Sequence, residues 1–294
     1  MTQQVVVALD IGGTTIDAAC ISSDGHQLGK LIEKTSPASG TQEEIVNQLT
    51  KIVKTTYQQA GDHKVVACGI AMPGPFDYAA GVSHMVHKFQ AIHGVALGRL
   101  LQERTGLPIH FINDANAFGL GVSWRQLPNT ERFVALTIGT GLGGSFIENG
   151  NNVEADDRIP LGGEVWDLPY EGHILEDYVS ARGVVALYTD QGSAKHYTSK
   201  EIAELATQGN AQAVRAYQEM GAALGHGLAE TFAHFAPKKV VIGGKVGQSL
   251  TLFKEATSHT IAEAGVPVPE ILQAIPGNLA LWGTAKHSFA TMAV

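Results

Sequence analysis

"VVVALDIGGTTIDAACISSDG", residues 5 to 25, drives a hydrophobic strand straight into Asp10, Gly12, Gly13, Thr14 and Thr15 and then resumes a second strand at once. Glycine carries no Cβ and tolerates positive φ, so such a turn lets the backbone approach a ligand closely. Backbone N–H groups and threonine hydroxyls there suit phosphate oxygens, and a carboxylate at the strand end can hold a magnesium ion, directly or through water. A plain hairpin with a glycine turn reads the same stretch equally well.

The rest of the chain favours the phosphate reading. "VALDIGGTT" at 7–15 and "VALTIGTGLGG" at 134–144 share Val-Ala-Leu-x-Ile-Gly in one register, each followed by a turn of glycines and threonines and a second strand. Two related halves are therefore expected, each with its own glycine turn. Two further apolar strands end in such punctuation: "IHFIND" runs into Asn113 to Asn116, and "KKVVI" into Gly243-Gly244. Ligands of α/β sheets bind at the carboxyl ends of strands. The four turns are thus expected to converge on one cleft, with phosphates at the first and third and a nucleoside near the fourth.

Apolar periodicity predicts strands at 4–11, 15–22 and 28–35, and a helix near 42–60 whose Ile45, Leu49, Ile52 and Val53 recur at helical spacing. A strand in "KVVACGIAMPG" and a helix at 95–106 follow; then come the "IHFIND" strand and a helix from about 115. The second half predicts helices at about 174–189, 199–207, 210–235 and 248–264, a strand at 270–275 and a last helix from about 278. Residues 150–173 read as a long functional loop.

Composition removes several function classes. With 294 residues and 44% hydrophobic side chains the chain can build two ordinary cores. A formal net charge of −8 without a basic run argues against nucleic acid as a partner. No apolar run is long enough to span a bilayer, no leader pattern is read at the N-terminus, and Cys20 and Cys68 sit inside apparent strands. A reduced, cytoplasmic protein without a membrane is expected.

"LDIGGTT", "GIAMPGPFD", "INDANAFGLG", "IGTGLGGSFIENG", "LGGE" and "VVIGGKVG" occur in the order and spacing of the ROK family of sugar kinases and repressors, which the chain resembles over nearly its whole length. That resemblance implies an α/β, two-lobed actin-like ATPase (ribonuclease H-like) fold, each lobe a βββαβα mixed sheet with helices on its faces. The N-terminal lobe is expected to span 1–117 plus about 281–294, and the C-terminal lobe 118–280. It also implies an ATP- and magnesium-dependent hexose kinase that acts as a homo-oligomer, a dimer.

Phosphoryl transfer needs an aligned hydroxyl, a group to take its proton and electrostatic relief for the phosphates. Asp114 in "NDAN" is expected to be the general base, against the simpler reading of an aspartate N-cap. As the resemblance implies, Asn113, Glu164 and Glu176 contact the sugar. Asp10, Gly12, Gly13, Thr14 and Thr15 form the first phosphate turn, with Asp10 the magnesium contact. Thr140, Gly141 and Gly144 form the second, while Gly243 and Gly244 admit the adenosine.

The chain also departs from the family. Where many members continue Gly-Glu-x-Gly-His, this sequence has Glu164, Val165, Trp166 and Asp167, so the sugar-contacting, zinc-ligating histidine is missing and no structural zinc is expected. Asp167 stands in its place, and His173 lies close enough in sequence to supply a sugar contact. An asparagine and a tryptophan that shape the sugar pocket of many relatives are also absent, and His87, Lys88 and Phe89 are the candidates to take over. The 6-hydroxyl of glucose or a related sugar is the expected acceptor; fructose, mannose and N-acetylated hexosamines stay open, as does polyphosphate as donor. A sugar sensor of the same fold without catalysis is the alternative, and four residues before the first strand leave the DNA-binding repressor branch poorly supported.

Overall fold

The computed structural model describes residues 2–190 and 196–293. The chain divides into two compact units, Met1–Pro128 with Pro276–Val294, and Asn129–Ile275. The first break lies beyond the expected 117/118 because the helix that starts at Asp114 runs unbroken to Arg125. The second lies before 281 because the last helix and its cap, from Asn278 on, belong wholly to the first unit.

In the first unit, β1 (Gln4–Ile11), β2 (Thr15–Ser22) and β3 (Gln27–Thr35) are followed by α1 (Gln42–Tyr57), β4 (Lys64–Met72) and the short β5 (Phe76–Asp77) and β6 (Val82–Ser83). Then come α2 (Leu97–Thr105), β7 (Ile109–Asn113) and α3 (Asp114–Arg125). The sheet order is β3-β2-β1-β4-β7. β1–β2 and β2–β3 are antiparallel, β1–β4 and β4–β7 parallel. The opening stretch is therefore a hairpin, and its turn stands at the same end of the sheet as the carboxyl end of β7.

β1 is apolar throughout because both of its faces are covered, which replaces the usual alternation with a continuous run. Val5, Val7, Leu9 and Ile11 pack with Ile45, Leu49 and Val53 of α1 and with Leu97 and Leu101 of α2. Val6 and Ala8 point the other way, joined by Ala19, Ile21 and Ala67, to meet Leu281 and Ala285 of the last helix. Each large side chain so buried contributes roughly 1.5–3 kcal/mol. α1 begins where the sequence signals it, with a capping box in which Glu44 N–H donates to Thr41 Oγ1 (3.3 Å) and Thr41 N–H to Glu44 Oε2 (2.7 Å).

The second unit repeats the plan. β8 (Arg132–Ile138), β9 (Leu142–Glu148) and β10 (Asn151–Val153) lead to the short β11 (Pro169–Tyr170) and β12 (His173–Ile174). Helices α4 (Leu175–Tyr178), α5 (Ala181–Asp190), α6 (Ser199–Thr207) and α7 (Ala211–Phe235) follow, then β13 (Lys239–Gly243), α8 (Lys254–Glu263) and β14 (Glu270–Gln273). Its sheet order, β10-β9-β8-β13-β14, has the same pattern of antiparallel and parallel pairs as the first. The Val-Ala-Leu-x-Ile-Gly repeat thus marks two equivalent central strands. Ile11 pairs with Ile16 across the first turn and Ile138 with Leu142 across the second, which is one residue tighter. Val134, Leu136 and Ile138 bury one face of this sheet with α5, α6 and α7.

Two expected helices break. The stretch 174–189 divides at Val179 and Ser180, where Ala181 N–H donates to Gly139 O (2.8 Å) and a Cβ at Gly183 would stand 2.1 Å from Tyr178 O. The stretch 248–264 opens with a 3₁₀ segment, Gly247–Leu252, before α8. The glycines of α7 serve helix packing, since a Cβ at Gly221 would lie 2.5 Å from Phe253 O and one at Gly225 2.6 Å from Thr257 O.

The chain then returns to the first unit as α9 (Leu279–Met292), which crosses α3 with backbones in contact. A Cβ on Gly121 would fall 1.9 Å from Leu279 O, and one on Gly283 1.7 Å from Ala117 O.

Candidate active site

In the first unit, β1, β2, β7, α3 and α9 bring a group of polar side chains together. Asp10 on β1 is the cross-strand neighbour of Asp17 on β2. Asn278, the N-cap of α9, donates its amide Nδ2 to Asp10 Oδ2 and to Asp17 Oδ2, each at 2.8 Å, while its Oδ1 accepts from Ala280 N–H (3.1 Å). Burial pushes the Asp10 carboxyl from 3.8 up to about 6; the Asn278 bond opposes the rise, and the charges of Asp114 and Asp17 add to it.

Asp114 and Asn113 divide the end of β7 between them. The N-cap of α3 is Asn113, whose Oδ1 accepts from Ala115 N–H (2.9 Å) and Asn116 N–H (3.1 Å). Its Nδ2 donates to the hydroxyl of Tyr78 (3.1 Å), which donates in turn to Met72 O (3.0 Å). Asp114 is thereby relieved of capping and stands at the first helical position, accepting Ala115 N–H at 2.9 Å. Burial raises the Asp114 pKa, against the lowering pull of Lys88 and of nearby backbone N–H groups.

The first turn is exposed at Gly13, Thr14 and Thr15 and is closed by Gly12 N–H donating to Thr15 O (2.9 Å). Neither Gly12 nor Gly13 occupies the left-handed region; the requirement there is room, because a Cβ on Gly12 would press on Thr15 O at 3.3 Å. Phe89 is fully buried in the core and so does not shape a pocket, whereas His87 is exposed and Lys88 partly so.

In the second unit, Gly139 N–H donates to Gly141 O (2.9 Å) to close the Gly139–Thr140–Gly141 turn. Glu176 braces it. Its Oε2 accepts Leu142 N–H (2.9 Å), its Oε1 pairs with Arg182 Nη2 (3.0 Å), and a Cβ on Gly141 would strike the same carboxylate at 2.5 Å. Each oxygen has one protein partner and keeps a lone pair for a further donor, so the bracing task stands beside the expected sugar contact. Gly144 lies inside β9, and the space a Cβ would need is filled by Val165 Cγ2 at 2.8 Å. Gly144 therefore serves to seat the loop that carries Glu164. Gly244 has φ +83 with its Cβ position 2.4 Å from Ile138 O, so only glycine fits, and the exposed Gly244–Lys245 turn runs beside Gly139.

Glu164, Asp167 and His173 are exposed on the 154–174 segment. Glu164 Oε2 accepts from Trp166 Nε1 (3.0 Å), and His173 is paired with Tyr170 across the β11–β12 hairpin. No hydrogen bond joins these three side chains to one another among the described residues. Among those residues, too, no three His, Cys, Asp or Glu side chains are arranged to hold a metal. Burial raises the pKa of both free cysteines, that of Cys20 to about 12.

The sequence model of the ROK family matches residues 6–156 and 167–280. The chain belongs to the ROK family. The match is interrupted at 157–166, a stretch that holds Glu164 and Trp166. Among curated ROK relatives, a glucokinase of Thermotoga maritima is 28% identical over 85% of this chain and 84% of its own. An N-acetyl-D-glucosamine kinase of Haemophilus influenzae is 27% identical over 88% and 91%. The crystal structure of a ROK hexokinase from Thermus thermophilus superposes with a TM-score of 0.81 at 25% identity, covering 98% of this chain and 99% of that one. The fold is accordingly the two-lobed actin-like ATPase fold of the ROK sugar kinases.

Sequence reasoning missed Asp17, Tyr78 and Asn278 as members of the site. Asp17 was legible in principle, since a two-strand hairpin places it opposite Asp10; Asn278 was not, being 268 residues from Asp10.

Proposed function

We propose that this ROK protein is an ATP-dependent sugar kinase that transfers the γ-phosphoryl group to a hexose hydroxyl, with Asp114 as general base. The observation that carries the proposal is the division of labour at the start of α3: Asn113 caps the helix and leaves the half-buried Asp114 carboxylate for chemistry. The sugar hydroxyl gives its proton to Asp114 as its oxygen bonds to the γ-phosphorus, and the bond to the β–γ bridging oxygen breaks to release ADP. A carboxyl pKa raised by burial makes Asp114 a stronger base than a carboxylate in water.

Gly12, Gly13, Thr14 and Thr15 are proposed to donate to nucleotide phosphates. In the second unit the turn at Thr140 and Gly141, held by Glu176, does the same, and Gly243 and Gly244 leave room for the adenosine. The remaining N–H of Asn113, with Glu164, Asp167 and His173, would meet the sugar. Magnesium fits the oxygen donors at Asp10 and Asp17: burial chiefly raises the Asp10 pKa, the charges of Asp114 and Asp17 add to it, and a cation there would relieve both. Asp10 would hold it together with phosphate oxygens, and the ion, when bound, offsets the charge of the triphosphate.

The relatives' names divide between glucose and N-acetylated hexosamines, so the acceptor is glucose, through its 6-hydroxyl, or a close relative of it. Family membership supports a cytoplasmic homodimer; no helix among the described residues is long and apolar enough to cross a membrane.

The test is ADP release from magnesium-ATP over a panel of glucose, mannose, fructose, N-acetylglucosamine and N-acetylmannosamine, with mass spectrometry of the product. Asp114→Asn should lower turnover at least about a hundredfold with sugar binding retained. Unchanged turnover would remove Asp114 from the base role, and a wild type inert towards every sugar would leave a sensor.

A further inference from the structure

We propose that Lys88 is a further catalytic residue, whose ammonium contacts the phosphoryl group being transferred. The assignment rests on the kinase reading above but stands on its own geometry. Lys88 lies on the 84–89 segment of the first unit, which is anchored on both sides of it. Met85 and Phe89 are buried in the core that also takes Leu9 and Ile11, just before the first glycine turn. His84 N–H donates to Pro75 O (3.0 Å) and Phe89 N–H to Ala38 O (2.9 Å).

Phe89 is held at φ +54, ψ +31, left-handed backbone that a bulky residue adopts only when its surroundings impose it. The Phe89 ring is in the core, and the preceding side chain lies over the first turn, where Lys88 Cδ is 3.8 Å from the Cβ position of Gly13. A side chain larger than hydrogen at Gly13 would thus sit against the lysine stem. The ammonium interacts favourably with the Asp114 carboxylate, yet among the described residues no carboxylate lies within salt-bridge distance of it.

A cation at this place answers a problem that the site itself creates. A phosphoryl group arriving over Gly13, Thr14 and Thr15 meets the negative charges of Asp10 and Asp114. Those charges interact with each other strongly enough to help raise the Asp10 pKa. Lys88 is tethered between the turn and the base, so it can neutralise the phosphoryl oxygens during transfer without displacing Asp114 from the acceptor hydroxyl. Phe89 being buried also explains why this position does not contribute an aromatic wall to the sugar.

The experiment compares wild type, Lys88→Met and Lys88→Arg in two measurements. The first is steady-state kinetics on whichever panel sugar the wild type phosphorylates. Lys88→Met should lower kcat about a hundredfold, in the range seen for loss of one transition-state donor, with the sugar KM within about threefold and partial recovery in Lys88→Arg. The second is calorimetric binding of magnesium-ATP and magnesium-ADP without sugar. The preference for ATP over ADP should fall about tenfold in Lys88→Met while ADP affinity holds, since only ATP presents the γ-phosphoryl group. An unchanged ATP-to-ADP preference, or a defect confined to sugar KM, overturns the assignment. If the wild type phosphorylates no sugar but its ATP preference depends on Lys88, the kinase reading falls and the lysine contact stands.

Discussion

Asp10→Asn should stabilise the first unit at neutral pH, and by an amount that depends on pH. The Asp10 carboxyl has a pKa of about 6 in the folded chain against 3.8 when free, because burial penalises its ionised form. Between those values the folded state binds more protons than the unfolded state. The favourable contribution is therefore complete below about 3.8 and is lost as pH rises through about 6. The shift of about two units corresponds to a cost of about 3 kcal/mol at pH 7.5, falling to about 1 kcal/mol at pH 4.5. Asparagine removes this charge, while its Oδ1 can accept from Asn278 and its Nδ2 can donate to Asp17, so the cluster keeps its bonds. The assay is urea unfolding without nucleotide and with EDTA, in a Trp166→Phe background, so that fluorescence comes from Trp124 and Trp282 of the first unit. The stability gap between the Asp10→Asn variant and its parent should narrow by about 2 kcal/mol from pH 7.5 to 4.5. A gap that stays constant across that range would refute the account. Under the function proposed above, the same substitution should also depress magnesium-ATP turnover, separating stability from activity in opposite directions.

Two further substitutions test the frame around the site. Tyr78→Phe removes the hydroxyl that orients the Asn113 amide. It should raise the sugar KM about tenfold, at a stability cost near 1 kcal/mol read by urea midpoint; an unchanged KM would detach Tyr78 from substrate positioning. Gly283→Ala forces a methyl into the Ala117 carbonyl of α3, where only 1.7 Å is available, so the two helices must separate. The expected loss is about 3 kcal/mol or more, read by thermal unfolding, and a melting temperature equal to the parent's would contradict the packing described.

The strands and the first helix were legible because their causes are local. β1 is apolar on both faces, and α1 announces itself by the Thr41–Glu44 capping box. The shared Val-Ala-Leu-x-Ile-Gly register carried the duplicated sheet order, since a repeat of buried strand and turn needs the same neighbours each time. What could not be read depends on partners far along the chain. Gly144 reads as a phosphate glycine, and the packing of Val165, from a later loop, into the space of its missing side chain is not visible in local spacing. Glu176 reads as a hydroxyl acceptor, and its bracing bonds to the Leu142 N–H and Arg182 join residues that spacing does not single out. The break between α4 and α5 was hidden because apolar spacing runs through it, while the cause is a carbonyl at Gly139.

The docking of α9 also orders events during synthesis. The β1–β4 part of the first sheet leaves the ribosome early, but the helix that covers Val6, Ala8 and Ala67 is made only after the whole of 129–275. Until then that sheet face is open to water and to other nascent chains, and Asp10 lacks its Asn278 partner. A unit begun first is finished last, so a truncated product released before α9 would carry the first glycine turn on an unsealed sheet. Such fragments should be substrates for chaperones and proteases, even though the 129–275 unit, continuous in sequence, can already have folded behind them.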